Sequence, residues 1–222
     1  MMTQEKLAKM IDHTNVKPNA SKVDIKTLCK EAEEYNFACA CVTPVNVAQA
    51  HEILSNTDVD VCAVIGFPFG TNKSEIKSFE ALVAVEDGAS ELDMVLNIGA
   101  LKASSDAMVL RDIEGVVESS DDMVVKVIIE TALLNQKEMV KACVLAKNAG
   151  ADYVKTSTGV GYPGSNTRDV KLLRETVGNK MGVKASGGIR TLKSALEMID
   201  AGASKIGTST GPTIMRDFID TM

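Results

Sequence analysis

The chain has 222 residues, of which 45% are hydrophobic and 24% charged, a composition typical of a globular protein. Its formal net charge of −6 argues against a general nucleic-acid-binding surface but leaves room for a local basic pocket that holds an anionic substrate. With only two histidines, a metal site built on three histidines is excluded, and the five cysteines have no CxxC spacing. We therefore expect no metal ion and no cofactor.

The sequence also predicts a cytoplasmic location. No apolar run approaches the length needed to span a membrane, and the N-terminal residues Met-Met-Thr-Gln-Glu-Lys have no signal-peptide core. An odd number of cysteines without a disulfide spacing fits free, buried thiols in a reducing compartment.

Two kinds of segment alternate along almost the whole chain. Short apolar segments are predicted to be strands, around residues 10–14, 37–43, 59–66, 90–97, 123–130, 151–156, 181–186 and 203–208. Longer, periodic and charged segments are predicted to be helices, at residues 21–35, 46–54, 73–87, 104–119, 137–148, 167–176, 192–201 and 212–222. In segment 73–87, the apolar residues Ile76, Phe79, Leu82 and Val83 have the spacing of an amphipathic helix.

Eight strand–helix alternations predict an α/β protein with a (β/α)8 TIM barrel, for which about 250 residues is a usual length. A doubly wound open sheet would give the same local pattern, but the first strand–helix turn carries no GxGxxG motif. No linker or change of composition divides the chain, so residues 1–222 are predicted to form a single barrel domain.

Lys155 ends a short, mostly apolar strand and is followed by a turn rich in hydroxyl groups and glycine. A buried amine at this position could be neutral and attack a carbonyl to form a Schiff base. Alternatively, its ammonium group could simply extend to solvent at the strand end.

Alternation of side chains along the strands gathers several charged groups inside the barrel. If the flanking aliphatic residues face the helices, the inward-facing charged residues are Asp93, Lys126, Glu130, Lys155 and Lys184. Clustered charges at the carboxyl ends of barrel strands are typical of an active site, although a salt-bridged structural layer would satisfy the same pattern.

The ends of the last two strands indicate a phosphate site. Residues 186–190, Ser-Gly-Gly-Ile-Arg, and residues 207–212, Gly-Thr-Ser-Thr-Gly-Pro, each lead into a predicted helix. Glycines let backbone N–H groups approach an anion, and these two loops are the usual phosphate position in such barrels. Thr158 and Gly159 could add donors, whereas two ordinary glycine turns with N-caps would explain the motifs without any ligand.

Together these motifs resemble deoxyribose-phosphate aldolase, a family of class I aldolases, across nearly the whole chain. The most specific pair is Lys-Thr-Ser-Thr-Gly at residues 155–159 followed by Lys-Ala-Ser-Gly-Gly-Ile-Arg at residues 184–190. Further matching segments lie at residues 11–14, 41–44, 65–68, 91–95, 126–131 and 206–209. The resemblance implies reversible cleavage of 2-deoxy-D-ribose 5-phosphate to D-glyceraldehyde 3-phosphate and acetaldehyde, without a metal or cofactor.

The resemblance also implies the roles of individual residues. It makes Lys155 the Schiff-base lysine, Asp93 the proton-relay carboxylate and Lys184 a second lysine whose charge favours the neutral form of the Lys155 amine. Implied phosphate contacts are Thr158, Gly159, Gly187, Gly188, Gly207 and Ser209, and implied pocket residues are Asp12, Thr14 and Cys41. Partners would be phosphosugar and aldehyde substrates, with neither nucleic acid nor membrane, and a homo-oligomer, a dimer or larger, is expected.

Two positions depart from the family pattern. The last residues, 217–222, contain no tyrosine, whereas some members end in a tyrosine that assists proton transfer. Val160 replaces a lysine or phenylalanine found in other members, so backbone amides and Arg190 would carry more of the anion binding. Arg190 could equally be a salt-bridge residue at a helix start.

Two other functions fit the same residues. The chain could be a Schiff-base aldolase that acts on a different phosphorylated aldehyde or ketose. It could instead be a catalytically inactive barrel that binds a phosphosugar as a sensor, although Asp93, Lys155 and Lys184 are all present with consistent strand parity.

Overall fold

The computed structural model describes residues 2–221, in which eight parallel strands close into a barrel in chain order. The strands are β1 Ile11–Asn15, β2 Cys39–Val42, β3 Asp60–Ile65, β4 Glu91–Val95, β5 Val124–Ile128, β6 Tyr153–Lys155, β7 Gly182–Ser186 and β8 Lys205–Thr208. Pairing of β1 with β8, where Ile11 faces Ile206, closes the barrel. The predicted (β/α)8 barrel is therefore confirmed, and the open-sheet alternative is wrong.

Helices surround the barrel and follow the predicted segments closely. They are α1 Gln4–Ala8, α2 Lys22–Glu34, α3 Val47–Leu54, α4 Ser74–Glu86, α5 Ile98–Lys102, α6 Asp106–Glu118, α7 Gln136–Asn148, α8 Thr167–Val177, α9 Leu192–Asp200 and α10 Gly211–Asp220. The sequence analysis did not predict the two five-residue helices, α1 and α5. Met222, the last residue of the predicted tail helix, lies outside the described residues. No helix among residues 2–221 is long and apolar enough to cross a membrane.

Local sequence signals set the helix ends. Ser21 and Asp24 form a capping box at the start of α2, and Asn135 and Glu138 form another at the start of α7. Gly150 follows α7 with a φ of +85°, a left-handed conformation that glycine adopts without the penalty of a Cβ atom. These signals fix where the helices begin and end between successive strands.

Helix α4 leaves much of its apolar spacing exposed and buries a lysine instead. Phe79 is 63% exposed and Ile76 is 52% exposed, whereas Lys77 is fully buried. The Lys77 ammonium donates to Asp112 Oδ2 of α6 at 2.6 Å and to the Val95 carbonyl at 2.8 Å. The buried face of α4 therefore consists of Lys77, Ala81 and Ala84, and its one charged residue is paired with a buried carboxylate.

Candidate active site

The barrel interior is charged, and strand register places the charged residues beside one another. In β4, Leu92 and Met94 pack outward against the helices, which leaves Glu91 and Asp93 to face inward. Asp93 is the register partner of Lys126 on β5. Lys155 at the end of β6 is the register partner of Lys184 on β7.

Asp93 is the centre of this cluster and is fully buried. Its Oδ2 accepts hydrogen bonds from Lys155 Nζ and from Lys184 Nζ, each at 2.7 Å. Its Oδ1 accepts from Lys126 Nζ at 2.8 Å and from the Cys62 thiol at 3.3 Å. One carboxylate therefore joins three lysines that come from three successive strands.

Deeper in the barrel, Asp12 and Glu91 complete the cluster. Asp12 Oδ2 lies 2.5 Å from Lys184 Nζ, and its Oδ1 lies 3.0 Å from Lys205 Nζ. Glu91 contacts Lys205 Nζ at 2.7 Å and Lys126 Nζ at 2.6 Å. The result is a continuous ion network, which we define as Asp12, Glu91, Asp93, Lys126, Lys155, Lys184 and Lys205.

Neighbouring carboxylates favour the protonated form of three network lysines, Lys126, Lys184 and Lys205. Burial alone would lower the pKa of Lys184, but the charges of Asp12 and Asp93 outweigh it and raise that pKa well above its ordinary value. The pKa values of Lys126 and Lys205 are raised in the same way, against the effect of burial, by neighbouring carboxylates. The network has four lysines and three carboxylates, so it contains one more basic group than acidic groups.

The two aspartates of the network are held ionised. Burial alone would raise the pKa of Asp93, yet the charges of Lys126, Lys155 and Lys184 place it well below its ordinary value. The pKa of Asp12 is lowered in the same way, because Lys184, Lys205 and Lys126 outweigh the effect of burial. The network thus holds charged carboxylates in direct hydrogen-bond contact with the neighbouring amines.

A cavity of about 490 Å³ opens above this network at the carboxyl ends of the strands. Of the seven network residues, Lys155 alone lines it. Gly207 contributes to the wall beside Lys184, where an added Cβ atom would lie only 3.2 Å from the Lys184 Cε. The arrangement therefore presents a single amine to a ligand in the cavity and keeps the remaining charges beneath the floor.

One wall of the cavity offers free backbone donors. The backbone N–H groups without an acceptor among the described residues include those of Gly159, Gly187, Gly188 and Ser209. Gly187 and Gly188 have φ values of +86° and +78°, in the left-handed region that glycine adopts without a Cβ penalty. Because neither residue has a Cβ atom, an anion can approach the two consecutive peptide groups closely. The exposed Arg190 side chain also lines the cavity and makes no ion pair within residues 2–221. Such a wall suits an anionic group.

The structure separates the predicted site residues into two sets. The cavity wall contains Thr14, Lys155, Thr158, Gly159, Gly187, Gly188, Gly207 and Ser209. Asp12, Asp93 and Lys184 lie beneath the floor in the ion network. Cys41 is fully buried in a small cluster with Cys39, Cys62 and Val64 and does not line the cavity.

Glu130 does not join the ion network, contrary to the parity argument. It follows β5 with a left-handed backbone, φ +51°, and its carboxylate turns towards Thr158 instead. Conversely, the sequence analysis missed Glu91 and Lys205 as members of the network. Glu91 shares strand parity with Asp93, so the same alternation rule could have found it.

Two groups of side chains have the spacing of metal ligands. They are Cys39, Cys62 and Glu91, and Cys41, Cys62 and Asp93, with ligand atoms within 4.8 Å of one another. The Lys126 ammonium already lies among them, 2.6 Å from Glu91 and 2.8 Å from Asp93. Glu91, Asp93 and Cys62 therefore already have a protein cation as their partner.

Comparison with known proteins agrees with this geometry. A family model described as DeoC/LacD family aldolase matches residues 6–217. The chain belongs to this aldolase family. It is 56% identical to a deoxyribose-phosphate aldolase of Methanothermobacter thermautotrophicus over 214 residues, which cover 96% of this chain and 95% of the relative. It is 54% identical to a deoxyribose-phosphate aldolase of Clostridium perfringens over 96% of both chains.

Solved structures of family members have the same fold. A putative deoxyribose-phosphate aldolase from Coccidioides immitis is 41% identical, with a TM-score of 0.95 over 98% of this chain and 87% of that one. A tetrameric deoxyribose phosphate aldolase from Aeropyrum pernix is 37% identical, with a TM-score of 0.92 over 99% of this chain and 94% of that one. The family resemblance that was inferred from the motifs is thereby confirmed.

Proposed function

We propose that this family member is a deoxyribose-phosphate aldolase that cleaves 2-deoxy-D-ribose 5-phosphate reversibly to D-glyceraldehyde 3-phosphate and acetaldehyde. The observation that carries the proposal is the position of Lys155, the one member of the ion network that reaches the cavity. The names of relatives that are more than half identical to this chain support the choice of substrate.

In the proposed reaction, the neutral Lys155 amine adds to the C1 aldehyde carbon of the open-chain sugar, and water leaves to give an iminium ion. Loss of the C3 hydroxyl proton breaks the C2–C3 bond, and its electron pair moves towards the iminium nitrogen. This step releases glyceraldehyde 3-phosphate and leaves a two-carbon enamine on Lys155. Protonation of the enamine carbon and addition of water then free acetaldehyde and restore the amine.

Asp93 and Lys184 are proposed to move the protons. Asp93 Oδ2 lies 2.7 Å from the reacting nitrogen and 2.7 Å from Lys184 Nζ, so a proton has a hydrogen-bonded route between the two amines. The free backbone N–H groups of Gly187, Gly188 and Ser209 would hold the substrate phosphate at the opposite wall.

The experiment is a substrate panel that measures acetaldehyde release from 2-deoxy-D-ribose 5-phosphate and from other phosphorylated ketoses and aldehydes. The proposal predicts release from the deoxyribose phosphate by the native chain and none by Lys155→Leu with an unchanged melting temperature. Turnover only with another sugar phosphate would identify a different Schiff-base aldolase, and binding without turnover would identify a phosphosugar sensor.

We also propose that the chain forms a homo-oligomer through helix α4, in line with the tetramer reported for the Aeropyrum pernix relative. Ile76, Phe79 and Val83 form an exposed apolar stripe at helical spacing. A further exposed apolar residue, Met108, lies on α6, one helical turn before Asp112, which pairs with Lys77 of α4. An apolar stripe of this kind is a usual centre for a contact between subunits.

Charge along the same stripe favours a second, antiparallel copy as the occupant. Exposed Lys73 precedes the stripe at the N-cap of α4, and exposed Glu86 follows it at the last residue of α4, so an antiparallel copy would bring each Lys73 towards the other copy's Glu86. The same antiparallel arrangement would place Ile76 opposite Val83. The surface is thus complementary to itself in one orientation.

Sedimentation velocity tests this arrangement. We expect a dimer or larger species for the native chain and a monomer for Phe79→Glu. Val23→Glu, at a position on α2 that is 72% exposed, should behave like the native chain. Lys73→Glu should weaken association and the double variant with Glu86→Lys should restore it. A monomeric native chain, or a Phe79→Glu variant that still associates, would contradict the proposed contact.

The compartment is proposed from the thiols. Cys29, Cys39, Cys41, Cys62 and Cys143 are all free and buried, which fits a cytoplasmic protein in a reducing environment.

A further inference from the structure

Glu130 is a buried carboxylate that the proposed reaction does not use. Only 2% of the residue is exposed, and its backbone has a left-handed φ of +51°, a conformation that is uncommon for a residue with a side chain. Such strain persists when surrounding contacts require it, and functional sites are where it concentrates. The contacts of the carboxylate therefore indicate its role.

A single oxygen of Glu130 takes both hydrogen-bond donors of Thr158. Oε2 accepts from the Thr158 backbone N–H at 3.1 Å and from the Thr158 hydroxyl at 2.5 Å. The Thr158 hydroxyl oxygen in turn accepts from the backbone N–H of Val160 at 3.1 Å. Neither donor of Thr158 is then available to an anion, even though this residue lines the cavity.

The same turn is held from the opposite side by β7. Ser186 donates its hydroxyl to the Ser157 carbonyl at 2.5 Å and its backbone N–H to the Thr156 hydroxyl at 3.1 Å. On the β5 side, the Thr131 N–H donates to the Thr156 carbonyl at 2.9 Å. Glu130 is the charged residue among these hydrogen-bond partners, and it accepts from Thr158, the residue directly before Gly159.

We propose that Glu130 is a positioning residue for anion recognition. By accepting both donors of Thr158, it fixes the 157–160 turn so that the unpaired N–H of Gly159 remains on the cavity wall with those of Gly187 and Gly188. The carboxylate has no contact with the reacting amine, so its effect on the reaction comes through the substrate phosphate. This inference rests on the proposed function for its substrate, but the anion-binding part can be tested separately.

Two variants separate the positioning role from a general loss of structure. Glu130→Gly removes the acceptor and accommodates the left-handed backbone without a Cβ penalty. Glu130→Gln keeps one acceptor oxygen, and because both Thr158 bonds go to a single oxygen, this variant should retain the turn. The melting temperature of each variant is measured alongside its kinetics.

For Glu130→Gly we expect the KM for 2-deoxy-D-ribose 5-phosphate to rise about tenfold or more, which is the usual effect of losing hydrogen bonds to a charged group. The kcat/KM for unphosphorylated 2-deoxy-D-ribose should change less than twofold or threefold. Glu130→Gln should stay close to the native chain on both substrates. An equal loss on the two sugars, or a Glu130→Gln variant as impaired as Glu130→Gly, would overturn the inference.

Titration with inorganic phosphate, followed by calorimetry, gives a readout that does not depend on catalysis. We expect the Kd for phosphate to rise about tenfold in Glu130→Gly and to change little in Glu130→Gln. A native chain that binds phosphate but cleaves neither sugar would refute the proposed function and leave the Glu130 inference standing. Equal phosphate affinity in the native chain and Glu130→Gly would refute the inference itself.

Discussion

The amines of Lys155 and Lys184 share one hydrogen-bond acceptor, the Oδ2 atom of Asp93, which lies 2.7 Å from each nitrogen. The two amines are not equivalent, because Lys184 has a second carboxylate, Asp12, at 2.5 Å. Asp12 and Asp93 together raise the pKa of Lys184 well above its ordinary value, whereas Lys155 has only Asp93 as an ion-pair partner within residues 2–221. This asymmetry is consistent with the roles proposed above, in which Lys155 is the nucleophile and Lys184 remains a cation.

Replacing Lys184 should make the proposed nucleophile, Lys155, less reactive, although the Lys155 side chain itself is unchanged. In Lys184→Met, Asp93 has fewer cations around it and holds the remaining Lys155 ammonium more strongly. We expect kcat to fall by a factor of about 10²–10⁴ and the acidic limb of the pH–rate profile to move to higher pH. The exposed Lys193 provides the control Lys193→Met, which should be unchanged. A Lys184→Met enzyme with the native pH–rate profile would contradict this role.

Neutralising Asp93 should separate binding from proton transfer. In Asp93→Asn the side-chain shape is kept but three buried lysines lose their common charge, so the free energy of unfolding should fall by about 3–5 kcal/mol. We expect exchange of the acetaldehyde methyl protons with deuterated solvent, followed by NMR, to slow by a factor of about 10²–10⁴. The exposed Asp217→Asn is the control. Native exchange in a folded Asp93→Asn variant would exclude Asp93 from the proton route.

The free energy of unfolding should be insensitive to pH over a wide range and should fall in acid. The pKa values of Asp12 and Asp93 are lowered on folding, because lysine charges outweigh the effect of burial. Their contribution is therefore complete above the unfolded pKa of about 3.9 and is lost progressively as the pH falls through the folded values. Folding raises the pKa values of Lys126, Lys184 and Lys205. Their contribution to the free energy of unfolding is therefore complete below the unfolded lysine pKa of about 10.4, and it is lost as the pH rises through their pKa values in the folded protein.

Urea unfolding across this pH range checks the prediction. We expect little change from these groups between about pH 5 and pH 9, a steep loss below about pH 4, and a smaller acid loss in Asp12→Asn. A midpoint that already falls between pH 7 and pH 5 would show that other groups control acid stability.

The ion pair beneath α4 should contribute to stability and not to chemistry. In Lys77→Met the Asp112 carboxylate stays buried without its cation, so we expect the free energy of unfolding to fall by about 3–5 kcal/mol. The double variant Lys77→Met/Asp112→Leu should recover part of the loss, since it removes both charges. The exposed Lys26→Met is the control for stability. A Lys77→Met protein as stable as the native chain in urea would show that the pair is not what anchors α4.

Strand periodicity made much of this structure predictable, because burial of a parallel barrel strand imposes a two-residue alternation. That rule predicts that Asp93, Lys126, Lys155 and Lys184 lie together, and the structure brings their charged groups into contact. It failed at Glu130 because the left-handed backbone there ends the alternation and re-aims the side chain. No strand rule could anticipate that conformation, which depends on the neighbouring turn at Thr158.

The orientation of α4 was unpredictable for a different reason. Helical periodicity reports which residues share a face but not which face is buried, and the buried face of α4 consists of Lys77 with two alanines, Ala81 and Ala84. Lys77 and Asp112 are 35 positions apart on two helices, so their contact depends on tertiary packing. Apolar residues at Ile76 and Phe79 consequently face outward, against the usual rule.

Borohydride reduction in the presence of acetaldehyde, followed by peptide mapping, tests the central claim most directly. The account predicts a stable two-carbon adduct on Lys155, which is the network amine that lines the cavity, and none on Lys126, Lys184 or Lys205. The same treatment of Lys155→Leu should give no adduct at any network position. An adduct on Lys184, or none anywhere in the native chain, would contradict the assignment of Lys155 as the Schiff-base nucleophile.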